Sequence, residues 1–312
     1  TMIVEVKTPS RLHLGLIELG GHRGRFYGGI GVAVKKPSLH IKVEKSDKLE
    51  IEGPCSKEVS EIVARLAKNL GIDFLGKVQV LNHIPVHKGL GSMTQLSLAV
   101  GTALAMTHGL GIEPEKLAAL LGRGRISCVG TAVFKEGGFI LDIPKKNPAS
   151  PCSRYLRFEF PEEWAFLVAY PIDKSGPDDE VEQQLFNRLP VMDEQKCSKI
   201  SHIVLVDLLP SLMDRDAESF GRALTELQTL VGEHFAALQG GRFVSEEAVE
   251  AVAKYGALGS GQSSWGPSVY GFYSSFKEAS KAAEKVRQEL GAGWDVFVTE
   301  AANEGAKLSV AP

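Results

Sequence analysis

The chain is short of net charge. Thirty-five Lys and Arg stand against 38 Asp and Glu, a formal net charge of -3 over 312 residues. A dedicated nucleic-acid binder is usually basic overall, so no nucleic-acid partner is expected. Cysteine is also scarce. Cys55, Cys128, Cys152 and Cys197 form no C-x-x-C pair, which argues against a zinc ribbon or a dense disulfide framework. The start, Thr1 to Glu5, lacks the basic-then-apolar layout of a signal peptide. The expected compartment is therefore the cytoplasm, with reduced thiols. G-x-S-x-G, H-E-x-x-H, G-x-G-x-x-G and the Walker A pattern are all absent. Hydrolase-elbow, zincin and dinucleotide readings lose weight accordingly. One long run, Gly89 to Ile112, carries no formal charge. It is long enough to span a bilayer. However, Gly91, Ser92, Thr94, Gln95 and Ser97 within it fit a buried helix better, so no membrane partner is expected.

Glycine is what the chain has in surplus: 33 of 312 residues, about one in ten against roughly 7% in ordinary proteins. The surplus gathers in residues 20–31, 89–91, 122–138 and 256–271. Glycine serves where backbone needs positive φ or must approach a ligand closely. Between these clusters the apolar spacing is regular. Leu12, Leu14 and Leu16 alternate as in a strand, while Val59, Ile62, Val63, Leu66 and Leu70 repeat as in a helix closed by Gly71. Phe220 to Leu238 reads as a long amphipathic helix. The closing order is a strand at Val269–Tyr273, a helix near Phe276–Leu290 and a strand near Val296–Thr299. That order fits a ferredoxin-like α+β unit. With Lys145 to Pro151 as a connection, two domains are expected, 1–150 and 151–312.

Four constellations carry chemistry. The first runs from Pro85 to Thr94, where a strand feeds a Gly-rich turn that opens a helix. Helix N-termini receive phosphates, and Lys88 adds a full charge there. Ser92 caps the helix or meets the ligand. The second is Ser10-Arg11-Leu12-His13-Leu14-Gly15, with Arg11 and His13 on one strand face. Glu18 and the loop arginines Arg23 and Arg25 follow. The third is Gly122-Arg123-Gly124-Arg125, a flexible basic turn. The fourth is Gly259 to Ser268, a polar Gly-rich loop containing Ser263 and Ser264. His83 and His87 are separated by Pro85, which argues against a helical metal pair. Asp178-Asp179-Glu180 reads as a helix cap, and His234 as a core histidine.

In this order the segments resemble the GHMP kinase superfamily, which implies a two-domain α+β fold with a ferredoxin-like C-terminal domain. Pro85-x-x-x-Gly89-Leu90-Gly91-Ser92 looks like its central phosphate motif. The kinases usually carry a second Ser after Ser92, where Met93 stands here, and an acid within the segment Ser127 to Val133, which has none. A closer resemblance is to the β-ribofuranosylaminobenzene 5′-phosphate synthase family. It is carried by Ser10 to Gly15, Gly122 to Arg125, Gly130-Thr131-Ala132 with Gly137-Gly138-Phe139, and Ser263-Ser264-Trp265-Gly266-Pro267.

This resemblance implies condensation of 4-aminobenzoate with phosphoribosyl diphosphate, releasing CO2 and diphosphate, in methanopterin biosynthesis. It also implies Mg2+ and a homodimer. With it, Arg11, His13 and Lys88 are the expected catalytic residues: Arg11 for the arene carboxylate, His13 for the amine or a proton, Lys88 for the diphosphate. Gly89, Leu90, Gly91, Ser92 and Thr94 cradle phosphate, and Arg123 and Arg125, or Arg23 and Arg25, take the other phosphate. Ser263 and Ser264 belong to the same binding set. Asp142 and Glu18 are the expected Mg2+ ligands, through water. The competing readings are an ATP-dependent small-molecule kinase and a non-catalytic metabolite sensor.

Overall fold

The computed structural model describes residues 1–151 and 154–312. Cys152 lies outside them. Two long antiparallel strands open the chain, β1 (Ile3–Glu18) and β2 (Tyr27–Glu44). Alternation buries Leu12 and Leu14 on one face of β1 and turns Arg11 and His13 to the other. β3 (Glu50–Glu52) leads to α1 (Ser56–Leu70), whose buried stripe is Val59, Ile62, Val63 and Leu66. Gly71 ends that helix in the left-handed conformation. β4 (Lys77–Asn82) follows, and then α2 (Ser92–Thr107). α2 is the uncharged segment and it is buried nearly throughout. Among the described residues no helix is long and apolar enough to cross a membrane.

α3 (Pro114–Leu120), α4 (Val129–Glu136), β5 (Phe139–Asp142) and β6 (Tyr155–Phe158) complete the first half. β7 (Ala165–Pro171) opens the second. It is followed by α5 (Asp179–Arg188), capped by the Asp178 side chain as its acidic run predicts. α6 (Glu194–Ile203) runs through a π-type turn, Val204–Leu208, into α7 (Leu209–Met213). The long amphipathic helix is α8 (Ala217–Gln239), and α9 (Glu246–Ala253) follows it. β8 (Gly259–Gln262), β9 (Val269–Tyr273), α10 (Phe276–Leu290), β10 (Trp294–Glu300) and β11 (Lys307–Ala311) close the chain.

The strands form two sheets. The second has the order β10-β7-β9-β8, all antiparallel. With helices between β7 and β8 and between β9 and β10, this is the ferredoxin-like arrangement expected from the closing β-α-β order. The first sheet runs β11-β1-β2-β4-β3, with β5 on β2 and β6 on β5. The two sheets do not divide at residue 150, because β6 and β11 join the first one from beyond it. Aromatic packing couples the halves. Phe139 on β5 stacks on Phe160 and meets Phe220 of α8, which in turn packs on Phe272 of β9. All four rings are fully buried, so relative motion of the halves would expose apolar surface worth about 25 cal/mol per Å2. Cys55 and Cys197 are free thiols, whereas Cys128 is disulfide-bonded, which corrects the expectation of reduced thiols.

Candidate active site

The Gly-rich turn is held by its carbonyls. His87 O accepts from Gly176 N at 2.7 Å and Lys88 O from Ser268 N at 3.1 Å. Gly89 O accepts from both Arg11 Nη1, 2.8 Å, and Ser263 Oγ, 2.6 Å. Leu90 O accepts from Arg11 N at 3.0 Å and Gly91 O from Gln95 N at 3.2 Å. Gly89 and Gly91 take φ of +84° and +80°, which L side chains rarely adopt. The turn delivers α2 with Ser92, Met93 and Thr94 in its first turn, where no earlier carbonyl exists to receive their N–H groups. Gly91, and not Ser92, occupies the cap position, so the Ser92 hydroxyl is left facing the space in front of the helix.

Lys88 departs from expectation. Its ammonium donates to the carbonyls of Pro171, Ile172 and Lys174 and lies over the Tyr170 ring. Burial lowers its pKa. The side chain lines neither cavity of the site; it fastens the turn to the end of β7. The spacing next to the glycines marks the turn, but it does not say on which side the lysine stem leaves.

β1 presents Arg11 and His13 to the same space, as alternation predicted. Desolvation, reinforced by the nearby Arg123 charge, brings the Arg11 pKa down to about 10, while Glu182 opposes the shift. Desolvation and then Arg11 bring His13 down to about 3, so its imidazole is neutral at physiological pH. His13 Nε2 lies 3.0 Å from Ser127 Oγ, a hydroxyl not singled out from the sequence. The Asp142 Oδ2 atom accepts from Cys128 N, 2.7 Å, and Gly29 N, 3.3 Å, and so fixes the segment carrying Ser127 against β2. Burial raises the Asp142 pKa to about 6.

The basic turn after α3 contributes Arg123, whose Nε donates to Thr94 Oγ1 at 3.0 Å and whose Nη1 pairs with Asp179. Arg125 also reaches the cavity wall. Ser263 is fully buried and donates to Gly89 O, while its hydroxyl receives the His13 backbone N–H at 3.0 Å. It splices the C-terminal loop to both N-terminal motifs. Ser264, on that splice, faces the open space.

That space has two joined compartments. The smaller, about 420 Å3, is bounded by Gly89, Gly91, Ser92 and Met93. The larger, about 1150 Å3 to its mouth, runs along β1, the 122–127 turn, α5 and α8. Leu16, Phe186, Phe235 and Trp265 line its apolar side. The three rings pack edge to face, with centroids 5.5 Å apart for Phe186–Trp265 and 4.8 Å for Phe235–Trp265. Asp179, Glu182 and Phe186 all come from α5, which sequence reasoning reduced to its capping acid. Glu182 lies at position four of the acidic run beginning at Asp179, a signal that only docking against Arg11 makes legible. Its pKa is raised by burial, against the pull of Arg11 and Arg123 and of the nearby Trp265 side chain.

The remaining expected residues fall elsewhere. Arg25 is exposed in the 19–26 loop and, like Arg23, lines neither compartment. Glu18 Oε1 closes its own turn by accepting from Gly20 N, 3.1 Å, and Gly21 N, 2.8 Å. Asp142 gives its Oδ2 to the two amides already described, while its Oδ1 is buried with no hydrogen-bond partner among the described residues. Glu18 and Asp142 line neither compartment, and among the described residues no group of three or more His, Cys, Asp or Glu could hold a metal.

Comparison with known proteins shows the family and the fold. Residues 57–137 match the GHMP kinase N-terminal domain and 208–292 the GHMP kinase C-terminal domain. The β-ribofuranosylphenol 5′-phosphate synthase of Methanothermobacter thermautotrophicus is 33% identical over 98% of this chain and 99% of its own. That of Archaeoglobus fulgidus is 32% identical over 99% and 100%. The chain belongs to this family. It is thus a synthase-branch member of the GHMP kinase superfamily, as its motif order implied. Among solved structures, the homoserine kinase of Cytophaga hutchinsonii superposes with a TM-score of 0.70 at 20% identity, covering 98% of this chain and 97% of that one. The mevalonate kinase of Methanococcus jannaschii does so with 0.68 at 16%, covering 96% and 98%. At such identities these likenesses establish the shared fold alone.

Proposed function

We propose that this chain joins the ribosyl group of phosphoribosyl diphosphate to the carboxylate-bearing ring carbon of a 4-substituted benzoate. The observation that carries the reading is the two-compartment cleft, an amide-lined anion pocket opening beside an aromatic-walled one, with Arg11 and Arg123 bordering both. The diphosphate goes to the turn and the head of α2, where N–H groups and the helix dipole favour anions. Arg123 and Arg125 take the 5′-phosphate. The arene lies on Phe186, Phe235 and Trp265. The relatives are ribofuranosylphenol synthases by name, which favours 4-hydroxybenzoate over the 4-aminobenzoate expected from the sequence.

The reaction balances without a redox partner. The anomeric C–O bond breaks, with its electron pair leaving on the diphosphate. A ring π pair forms the new C–C bond. The C–CO2 bond then yields its pair to the ring, restoring aromaticity as CO2 departs. Arg11 holds the carboxylate until that step, and neutral His13, steadied by Ser127, offers hydrogen bonds without adding charge. Catalysis on this reading is positioning plus electrostatics. Mg2+ is proposed only as the counter-ion that the diphosphate brings with it. The reading carries with it a methanopterin-pathway role, a cytoplasmic location and a homodimer.

The test is incubation with phosphoribosyl diphosphate, Mg2+ and carboxyl-labelled 4-hydroxybenzoate or 4-aminobenzoate. Labelled CO2 with matching diphosphate is expected, faster from the phenol. No release from either arene would overturn the reading.

A further inference from the structure

Resting on that reading, we propose that Glu182 touches the ribose of the donor and stabilises the positive charge that builds on its anomeric carbon as diphosphate leaves. The bond that breaks and the bond that forms share that carbon. It must therefore sit where the anion compartment meets the aromatic one. Six residues line both compartments: Arg11, Arg123, Asp179, Glu182, Ser264 and Trp265.

Two of the six are acids, and they are not equivalent. The Asp179 carboxylate is tied to the Arg123 guanidinium in an ion pair and is half exposed. Glu182 is within ion-pair distance of no cation among the described residues. The Trp265 side chain borders the same two compartments and is a neutral donor beside the carboxylate, so it leaves the charge in place. Desolvation raises the Glu182 pKa, and the Arg11 and Arg123 charges pull the other way, toward the ionised form.

A fixed, partly desolvated carboxylate is weakly screened. The substrate gains no positive charge until the C–O bond stretches, so the attraction grows toward the transition state. An interaction of that kind raises kcat and leaves ground-state binding nearly alone. The same placement suits the anionic donor. Arg11 and Arg123 offset Glu182 while diphosphate is bound, and the carboxylate faces the ribose once charge separates. Glu182 lies on α5, outside every motif that carries the family resemblance, and its role follows only from how α5 docks across the cleft.

The experiment compares wild type, E182Q and E182D with phosphoribosyl diphosphate and 4-hydroxybenzoate. Donor affinity is measured separately, by calorimetry without the arene. E182Q should lower kcat roughly 100-fold, the scale of removing one preorganised electrostatic group. Its donor Kd should stay within about threefold, which also certifies its fold. E182D should recover part of the loss. An E182Q enzyme that keeps its kcat, or whose donor Kd rises as far as kcat falls, overturns the assignment while leaving the reaction intact. A wild-type enzyme that releases no diphosphate overturns the reaction and the assignment together.

Discussion

Replacing Gly89 by Ala tests whether the phosphate turn and the C-terminal loop are one unit. A Cβ at Gly89 would lie 2.5 Å from the Ser263 carbonyl oxygen and 3.2 Å from that of Gly266. Both contacts are backbone, so the loop must retreat. Gly71 is the control, since it too has positive φ, +65°, but nothing within 4 Å of its Cβ position. In each case the left-handed conformation costs an alanine about 1 kcal/mol. For Gly71→Ala that is the whole effect. For Gly89→Ala the retreat also strains the two bonds to Gly89 O, from Arg11 and Ser263. At about 1 kcal/mol each, they bring the total to about 3 kcal/mol. Calorimetry should show Tm falling by about 3 °C for Gly71→Ala and about 9 °C for Gly89→Ala. Steady-state kinetics should show the donor KM rising by about tenfold, equivalent to about 1.4 kcal/mol, for Gly89→Ala alone. Equal Tm shifts with an unchanged KM would refute the idea that the loops are welded.

Three further outcomes are expected. His13 is held at about 3 in the folded protein, below its ordinary 6.5. Its neutral burial therefore supports the fold fully above 6.5, and this support is lost as pH falls toward 3. His13→Gln should flatten the wild-type fall in stability across that window in acid denaturation curves; an unchanged slope would count against the burial. Phe235 lines the large compartment only, so Phe235→Leu should raise the arene KM about tenfold while sparing donor Kd. A matching loss for both substrates would sink the compartment assignment. Lys88→Met leaves three carbonyls without their donor and should cost about 3 kcal/mol in urea unfolding. If instead donor Kd collapses at unchanged stability, the lysine faces the ligand after all.

Much of this was legible because it is local. Glycine clusters marked the loops, alternation placed Arg11 and His13 together, and the last β-α-β run announced the ferredoxin-like sheet. What stayed hidden depends on contacts distant in sequence. The capping run at Asp178 gives no hint that Glu182 and Phe186, on the next turns of α5, cross to face β1. The Lys88 stem could run to either side of its turn, and the nearby β7 carbonyls decided it. Asp142 ends a strand like a ligand-bearing acid, but the amides of Gly29 and Cys128 converge on it from two other segments. The pairing of β11 with β1, from Ile3↔Ala311 to Lys7↔Lys307, joins segments some 300 residues apart, beyond the reach of any periodicity.

The five carbonyls from His87 to Gly91 have a consequence for selectivity. Each already accepts a hydrogen bond within the protein, so what the turn offers a ligand is mainly N–H donors. Its polarity toward a ligand is one-sided. A hydroxyl or ammonium group arriving there finds its better acceptors across the compartment, in the Asp179 and Glu182 carboxylates, and not in the turn. A deprotonated oxygen at the turn meets the N–H donors at the head of α2. On the proposed reading the turn thus favours the ionised phosphoryl end of the donor and leaves the sugar hydroxyls to the acids across the compartment. This orients a substrate that carries both before any charged side chain makes contact.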